Sequence, residues 1–370
     1  MRKLLATAAL VALGVTTTFV ALGANSAAAQ DQVVRIYNWS DYIDESVLEE
    51  FTAKTGIEVV YDTFDSNEVL ETKLLAGGTG YDIVVPTGTF LQRQIQAGVF
   101  QPLDKSKLTN LENLWLPITE RIAGFDPGNA HAINYMWGTT GIGYNVDAVI
   151  ERLGVETVTS WDVIFDPETI AKFADCGVHV LDSPTELFPA ALNYLGYDGD
   201  SHDLGEIEEA AALLASIRPH VQQFHSSSYI NELANGNICL AVGWSGDVLQ
   251  ARDRAIEADN GVRVEYAIPE EGALMWFDNM AIPSDAPNPE AAHAFLDFIM
   301  GAEAIAKASN YVYYANGNFA SQQYLNDDVI GDPAIYPTQE TVQNLYVTTP
   351  YPPRVQRTVT RAWTRVKTGS

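Results

Sequence analysis

The sequence holds 370 residues, with 48 acidic against 21 basic side chains, a formal charge of −27, and 47% hydrophobic residues. Such a field repels nucleic acid and anionic lipid and gathers cations, so it argues against the first two partners and permits a cationic one. An acidic surface also serves solubility alone. The length exceeds what one hydrophobic core usually serves and favours two domains.

Residues 1–29 read as an export signal. Met1-Arg2-Lys3 is a basic start, the stretch to Leu22 is largely apolar, and Ala27-Ala28-Ala29 offers a small-x-small cleavage site. The mature chain is expected to begin at Gln30, without a Cys for lipid anchoring, and to be soluble outside the cytoplasm. Its balance is 21 − 2 = 19 basic against 48 acidic residues, a net charge of −29.

The mature part opens with a β-branched run at 33–37, then a helix over 45–54 whose apolar face holds Val47, Leu48 and Phe51, with Gly56 as its stop. A strand follows at 57–61. Asp65, three residues before Glu68, is expected to cap a second helix that ends at Gly77-Gly78, and a buried strand comes next at 83–85. This β-α-β-α-β order implies parallel strands with crossover helices covering both faces of a sheet. Gly77-Gly78-Thr79-Gly80 lies between a helix end and a strand, the wrong place for a phosphate loop, and is a helix stop.

The same grammar returns further on: strand 141–144, helix 167–173, strand 178–181, helices 188–195 and 204–217, strand 238–242. Near the end, Asn288-Pro289-Glu290 predicts an N-cap with Pro in the first turn of a helix over 291–300. No repeat, low-complexity tract or Pro- or Ser-rich linker is evident, so two lobes joined by several crossing strands are expected. Cys176 and Cys239 lack CxxC or Cys/His ligand spacing, and in an oxidising compartment they are expected to be bridged.

Sites in open α/β sheets form beyond the carboxyl ends of the strands. Those positions carry Asn38-Trp39-Ser40-Asp41-Tyr42, Pro86-Thr87, Asp182-Ser183-Pro184-Thr185-Glu186, Gly243-Trp244-Ser245-Gly246-Asp247, Trp276-Phe277-Asp278 and Tyr313-Tyr314. Aromatics and carboxylates recur together. An alkyl diamine needs that combination, because its ammonium ends seek desolvated carboxylates and its methylenes seek flat apolar walls. Trp39, Trp244, Trp276 and Tyr314 are candidates for the walls. Asp41, Glu186, Asp247 and Asp278 are candidates for the charged ends, with hydroxyls from Ser40 and Thr87. Taken singly, each Trp also suits a core and each Asp a cap or turn.

Several strings resemble the periplasmic putrescine- and spermidine-binding proteins of polyamine ABC importers: YNWSDY at 37–42, FDSNEVL at 64–70, FQPLDKSKL at 100–108, WGTTGIGYNV at 137–146, FHSSSYI at 224–230, GWSGDV at 243–248 and YAN at 314–316. The likeness runs through essentially the whole mature chain. It implies a type II periplasmic-binding-protein fold, each lobe a central sheet flanked by helices, with ligand in the cleft between them. The lobes would be discontinuous, 31–138 plus 276–325 and 139–275 plus 326–370. It also implies a Cys176–Cys239 bridge in the second lobe, a monomeric and non-catalytic receptor without cofactor or metal, and a membrane permease as partner. The same ten residues are implied as the ligand set: Trp39, Ser40, Asp41, Thr87, Glu186, Trp244, Asp247, Trp276, Asp278 and Tyr314. Thr87 stands where putrescine-selective members have Ser, and Trp276 where they have Phe, so putrescine and spermidine both remain open.

Rival readings have their own signatures. A glycoside hydrolase would pair an acid with a base, yet most of the candidate carboxylates sit beside a Trp or Tyr. His225 with Ser226 and Ser227 is the nearest approach to a Ser/His arrangement, but neighbours in a strand face apart. Tyr313-Tyr314 fails as a ferric pair for the same reason, and no Arg accompanies the strand-end aromatics to hold an amino acid's carboxylate. A sugar, which also uses Trp platforms and Asp, is distinguished by indifference to salt.

Overall fold

The computed structural model describes residues 33–369, so the export signal and its cleavage site lie outside the described residues. The first five elements follow the expected order. β1 (Val33–Trp39) lies parallel between β2 (Glu58–Phe64) and β3 (Ile83–Val84), with helices Glu45–Thr55 and Asn67–Ala76 in the crossovers. Asp44 caps the first helix by accepting from the Ser46 N–H, and Gly56 ends it with φ 73°, a conformation open to glycine at little steric cost. The second helix corrects the expectation. Its cap is Ser66, which accepts from the Val69 N–H, so Asp65 stands outside the helix.

The next strand is far longer than residues 141–144 suggested: β4 runs Ala132–Asn145, buried at all but its last position. A strand buried on both faces shows no polar alternation, and its three glycines read as breakers. They serve close approach instead. A Cβ on Gly138 would meet the Trp276 ring at 2.8 Å, and one on Gly141 would meet the Ala267 carbonyl oxygen at 2.4 Å.

The remaining strands are β5 (Val178–Val180), β6 (Gln223–Phe224), β7 (Leu240–Trp244), β8 (Val264–Ala267), β9 (Ala273–Ala281), β10 (Ala315–Asn316) and β11 (Leu345–Tyr346). Their order along the main sheet is β2-β1-β3-β9-β4-β7-β5-β6. β5 lies parallel between β6 and β7, repeating the arrangement of the first three strands. β4 and β9 are antiparallel and central. The first part of β4 pairs with β9, and its end pairs with β7 and β8.

These two strands thread both hydrophobic cores. One core gathers Val34, Ile36, Phe51, Leu70 and Phe295 with Met136 and Met280; the other gathers Phe165, Phe188, Leu214, Leu240 and Trp363 with Ile142 and Phe277. The result is a two-lobed α/β molecule joined by strands, as the lack of a flexible linker required. Cys176 and Cys239 form a disulfide with Cα atoms 5.7 Å apart, beside the second core.

Two further differences bear on the site. The helix expected at 188–195 begins at Pro184, a good first-turn residue, which brings Glu186 into the first turn. β7 ends at Trp244 and the helix Ser245–Glu257 starts at once, which leaves no loop between them. Residues 167–173 form a short turn of α-helix and one of 3₁₀-helix. The helix expected at 291–300 is Pro289–Ile299. Asn288 precedes it without a side-chain capping bond, its backbone N–H taken by Asp82 at 2.6 Å.

Candidate ligand-binding cleft

Nine of the ten expected residues line one cleft between the two cores, with about 440 Å³ of empty space that includes open solvent at its mouth. Trp39 and Ser40 reach it from the end of β1, and Thr87 from the start of the helix Gly88–Gln96. Glu186, Trp244 and Asp247 enter from the opposite side, while Trp276, Asp278 and Tyr314 form the back. The strand-end logic holds for Trp39 and Trp244, each the last residue of its strand. It fails for Trp276 and Asp278, which sit in mid-strand on β9, and for Tyr314, which precedes β10.

Asp278 is held from the side of the first core. Tyr42 donates to one carboxylate oxygen at 2.9 Å and Thr87 to the other at 2.6 Å. Thr87 in turn accepts from the Asn67 amide at 2.8 Å, so its hydroxyl is committed and does not cap its own helix. Asp247 is held equivalently, by Tyr229 at 2.8 Å and Tyr314 at 2.7 Å. Its backbone N–H donates back to the Tyr314 oxygen at 3.1 Å. Glu186 accepts from Thr140 of β4 at 2.5 Å. Asp247 and Glu186 both lie in the first turn of a helix, where the helix dipole favours negative charge.

Burial opposes ionisation of all three. Desolvation pushes Glu186, Asp247 and Asp278 each up to about 7, against hydrogen bonds from Thr140, from Tyr314 and Tyr229, and from Thr87 and Tyr42 that pull the other way. Desolvation also raises Tyr42, Tyr229 and Tyr314 well above the usual phenol range, which keeps them protonated as donors. Four acidic residues and no basic one line the cavity. The aromatic walls are fixed by one another: Trp39 meets Trp244 edge-on at 5.5 Å between centroids, and Trp276 meets Tyr314 at 5.4 Å. Trp39 is pinned further by its indole N–H donating to the Val85 carbonyl at 2.9 Å. Such a box offers buried negative ends and flat apolar sides, and it suits an elongated cation.

Asp41 is the residue that this arrangement leaves out of the cavity. Its backbone takes φ 53°, which turns the side chain outward to Arg254 at 2.7 Å. Gln250, one turn before Arg254, donates to the carbonyls of Asp41 and Val312. Sequence reasoning missed Tyr42, Asp65, Asn67 and Ser226 in the lining. Asn67 was hidden by the displaced cap, and Tyr42 lay within the YNWSDY string without being singled out.

Strand alternation does not describe the two rival pairs, His225 with its serines and Tyr313 with Tyr314. His225 follows β6, so strand alternation does not part it from its serines: its Nδ1 accepts backbone N–H groups of Ser227 and Ser228 at 3.0 and 3.1 Å and lies 3.4 Å from the Ser227 hydroxyl. That nitrogen is therefore occupied structurally. Tyr313 ends its helix in a left-handed conformation, φ 58°, which separates it from the buried Tyr314. Among the described residues no arginine lines the cleft; Arg254 pairs with Asp41 and Arg93 with Glu71.

Known proteins share this frame. The chain is 53% identical over 343 residues to the putrescine-binding periplasmic protein SpuD of Pseudomonas aeruginosa, covering 92% of this chain and 94% of that one. It is 48% identical over 357 residues to the putrescine-binding periplasmic protein PotF of Escherichia coli, covering 96% of each. Among solved structures, a putative spermidine/putrescine ABC transporter from Listeria monocytogenes superposes with a TM-score of 0.81 at 32% identity, over 91% of this chain and 99% of that one. A family model described as bacterial extracellular solute-binding protein matches residues 46–338, and the chain belongs to that family.

Proposed function

We propose that the protein is a periplasmic receptor that closes its two lobes over a small polyamine, putrescine or spermidine, and delivers it to the membrane permease of an ABC importer. One observation carries the reading: three buried carboxylates, each held by neutral hydroxyl donors, share an aromatic cavity whose lining holds no basic side chain. An ammonium at each end supplies the counter-charge the cavity lacks. The relatives described as putrescine-binding support the same ligand class.

The ligand set is Trp39, Ser40, Thr87, Glu186, Trp244, Asp247, Trp276, Asp278 and Tyr314, with Asp41 acting from outside through Arg254. The lobes run 31–138 plus 276–325 and 139–275 plus 326–370. That division is supported by the facing of Gly138 and Trp276 across the central strands. Receptor and ligand part unchanged, a reading supported by the relatives described as putrescine-binding proteins.

Calorimetry with putrescine, spermidine, cadaverine and maltose tests the class. Heat with the polyamines, weakened by salt, is expected. Heat with maltose alone would make the protein a sugar receptor, and silence from every polyamine would refute the proposal. Mass spectrometry of recovered ligand should show intact polyamine.

A further inference from the structure

The charge of this molecule is unevenly placed. All 48 acidic residues lie before Thr341, and the stretch from Thr341 to Thr368 holds five basic residues and no acidic one. Four of the five, Arg354, Arg357, Arg361 and Arg365, lie on the helix Pro353–Thr368 and are exposed. Their spacing of three, four and four residues places them in one row along one face. Among the described residues no carboxylate pairs with any of the four guanidinium groups. Elsewhere Arg93, Arg152, Arg252, Arg254 and Arg263 each meet a carboxylate. On so acidic a molecule an unpaired arginine row stands out.

The helix is fixed firmly enough to present that row. Val355, Val359, Ala362, Trp363 and Val366 are buried in the second core, and Asp182 accepts from Trp363 at 3.0 Å and from Lys367 at 2.8 Å. Its first turn adjoins the seam between the lobes, where Gln356 lines a crevice with Thr89 and Arg93 on one side and Thr185 and Pro189 on the other. A partner that grips the row therefore also reaches the seam.

We propose that the arginine row is a docking surface for an acidic protein surface, that of the membrane permease, an inference that rests on the receptor reading above. Arginine's planar fork pairs two-pronged with carboxylates, and a row of forks fixes orientation as well as contact. Charge complementarity selects the partner: the row aligns four guanidinium groups, without a carboxylate partner among the described residues, on a molecule whose formal charge is −27. A lipid surface fits less well. The apolar side of the helix is already buried in the core, and the exposed residues between the arginines, Thr360 and Thr364, offer nothing to insert into a bilayer.

The test uses the exported protein with its permease and ATPase subunits reconstituted in nanodiscs. A variant carrying Arg354→Gln, Arg357→Gln, Arg361→Gln and Arg365→Gln should keep its circular dichroism and its calorimetric affinity for putrescine. The receptor concentration for half-maximal ATPase stimulation should rise about tenfold or more. For wild type that concentration should climb with added salt, and for the variant it should not. The double reversal Arg357→Glu/Arg361→Glu should be worse still. Wild-type stimulation by either variant overturns the proposal. So does wild-type flotation with phosphatidylglycerol vesicles that the variant loses, which assigns the row to lipid. So does a low-salt dimer that the variant loses, which assigns it to a second copy. Failure of the receptor reading would show separately, as absence of putrescine binding by wild type.

Discussion

Asp278 receives two hydroxyl donors and lies on a strand buried along its whole length, so its carboxyl group is oriented before any ligand arrives. Asp278→Asn keeps the shape and removes the charge. Diamine affinity is expected to fall by about tenfold or more, since a charge-assisted hydrogen bond is worth roughly twice a neutral one. Unchanged affinity in calorimetry would remove Asp278 from the site. The three raised carboxyls also make a pH prediction. Their ordinary values are 4.5 for Glu186 and 3.8 for Asp247 and Asp278, and burial lifts each to about 7. A carboxyl raised on folding contributes stability that is fully present below its unfolded value and is lost as pH climbs through its folded value. Ligand-free protein should therefore lose stability between about pH 4 and pH 7 through these groups. A dication supplies the missing counter-charge, and its own amines, near the lysine value of about 10.4, stay protonated throughout. The rise in Tm caused by putrescine should consequently grow from about pH 5 to about pH 7.5, and a constant rise across that range would refute the linkage.

At the scale of elements, the central strand pair decides where the site lies and how it can be disturbed. A Cβ on Gly138 would stand 2.8 Å from the Trp276 ring and 2.9 Å from the Ser245 hydroxyl, so Gly138→Ala must push the cavity's back wall. It should cost about 1–3 kcal/mol in urea unfolding and also weaken putrescine. Loss of stability without loss of affinity would show that Trp276 does not set the cavity's shape. This strand pair was the least legible part of the fold. β9 is buried at all nine positions and β4 at thirteen of fourteen, so neither shows alternation. The outer β-α-β units, by contrast, carried readable glycine stops at Gly56 and Gly77 and periodic faces, and their strand-end residues Trp39 and Trp244 fell where expected. The chemistry of Trp276 and Asp278 was visible as a pairing of residue types, though its position in mid-strand was not. Asn67 was lost to a cap displaced by one residue, since Asp65 and Ser66 both suit an N-cap by type.

Over the whole molecule, closure depends on a small set of bonds between the two cores. Tyr314 reaches Asp247, Gln250 reaches the carbonyls of Asp41 and Val312, and Arg254 reaches Asp41. The first of these is buried in the cavity lining, where a substitution would also disturb the site. The Arg254–Asp41 pair is different, because its side chains remain 33% and 39% exposed and it lies outside the cavity. A pair so exposed is worth about 0.2–1 kcal/mol. It joins residues of the two proposed lobes outside the cavity, so it should favour the closed state without touching ligand. Arg254→Gln should therefore raise the putrescine dissociation rate by about two- to fivefold, with the association rate little changed, because the encounter precedes closure. Stopped-flow measurement of tryptophan fluorescence follows both rates, given that Trp39, Trp244 and Trp276 line the cavity. High salt should speed dissociation from wild type and leave the variant's rate closer to constant. An identical dissociation rate in the two proteins at low salt would show that this contact follows closure and does not hold it.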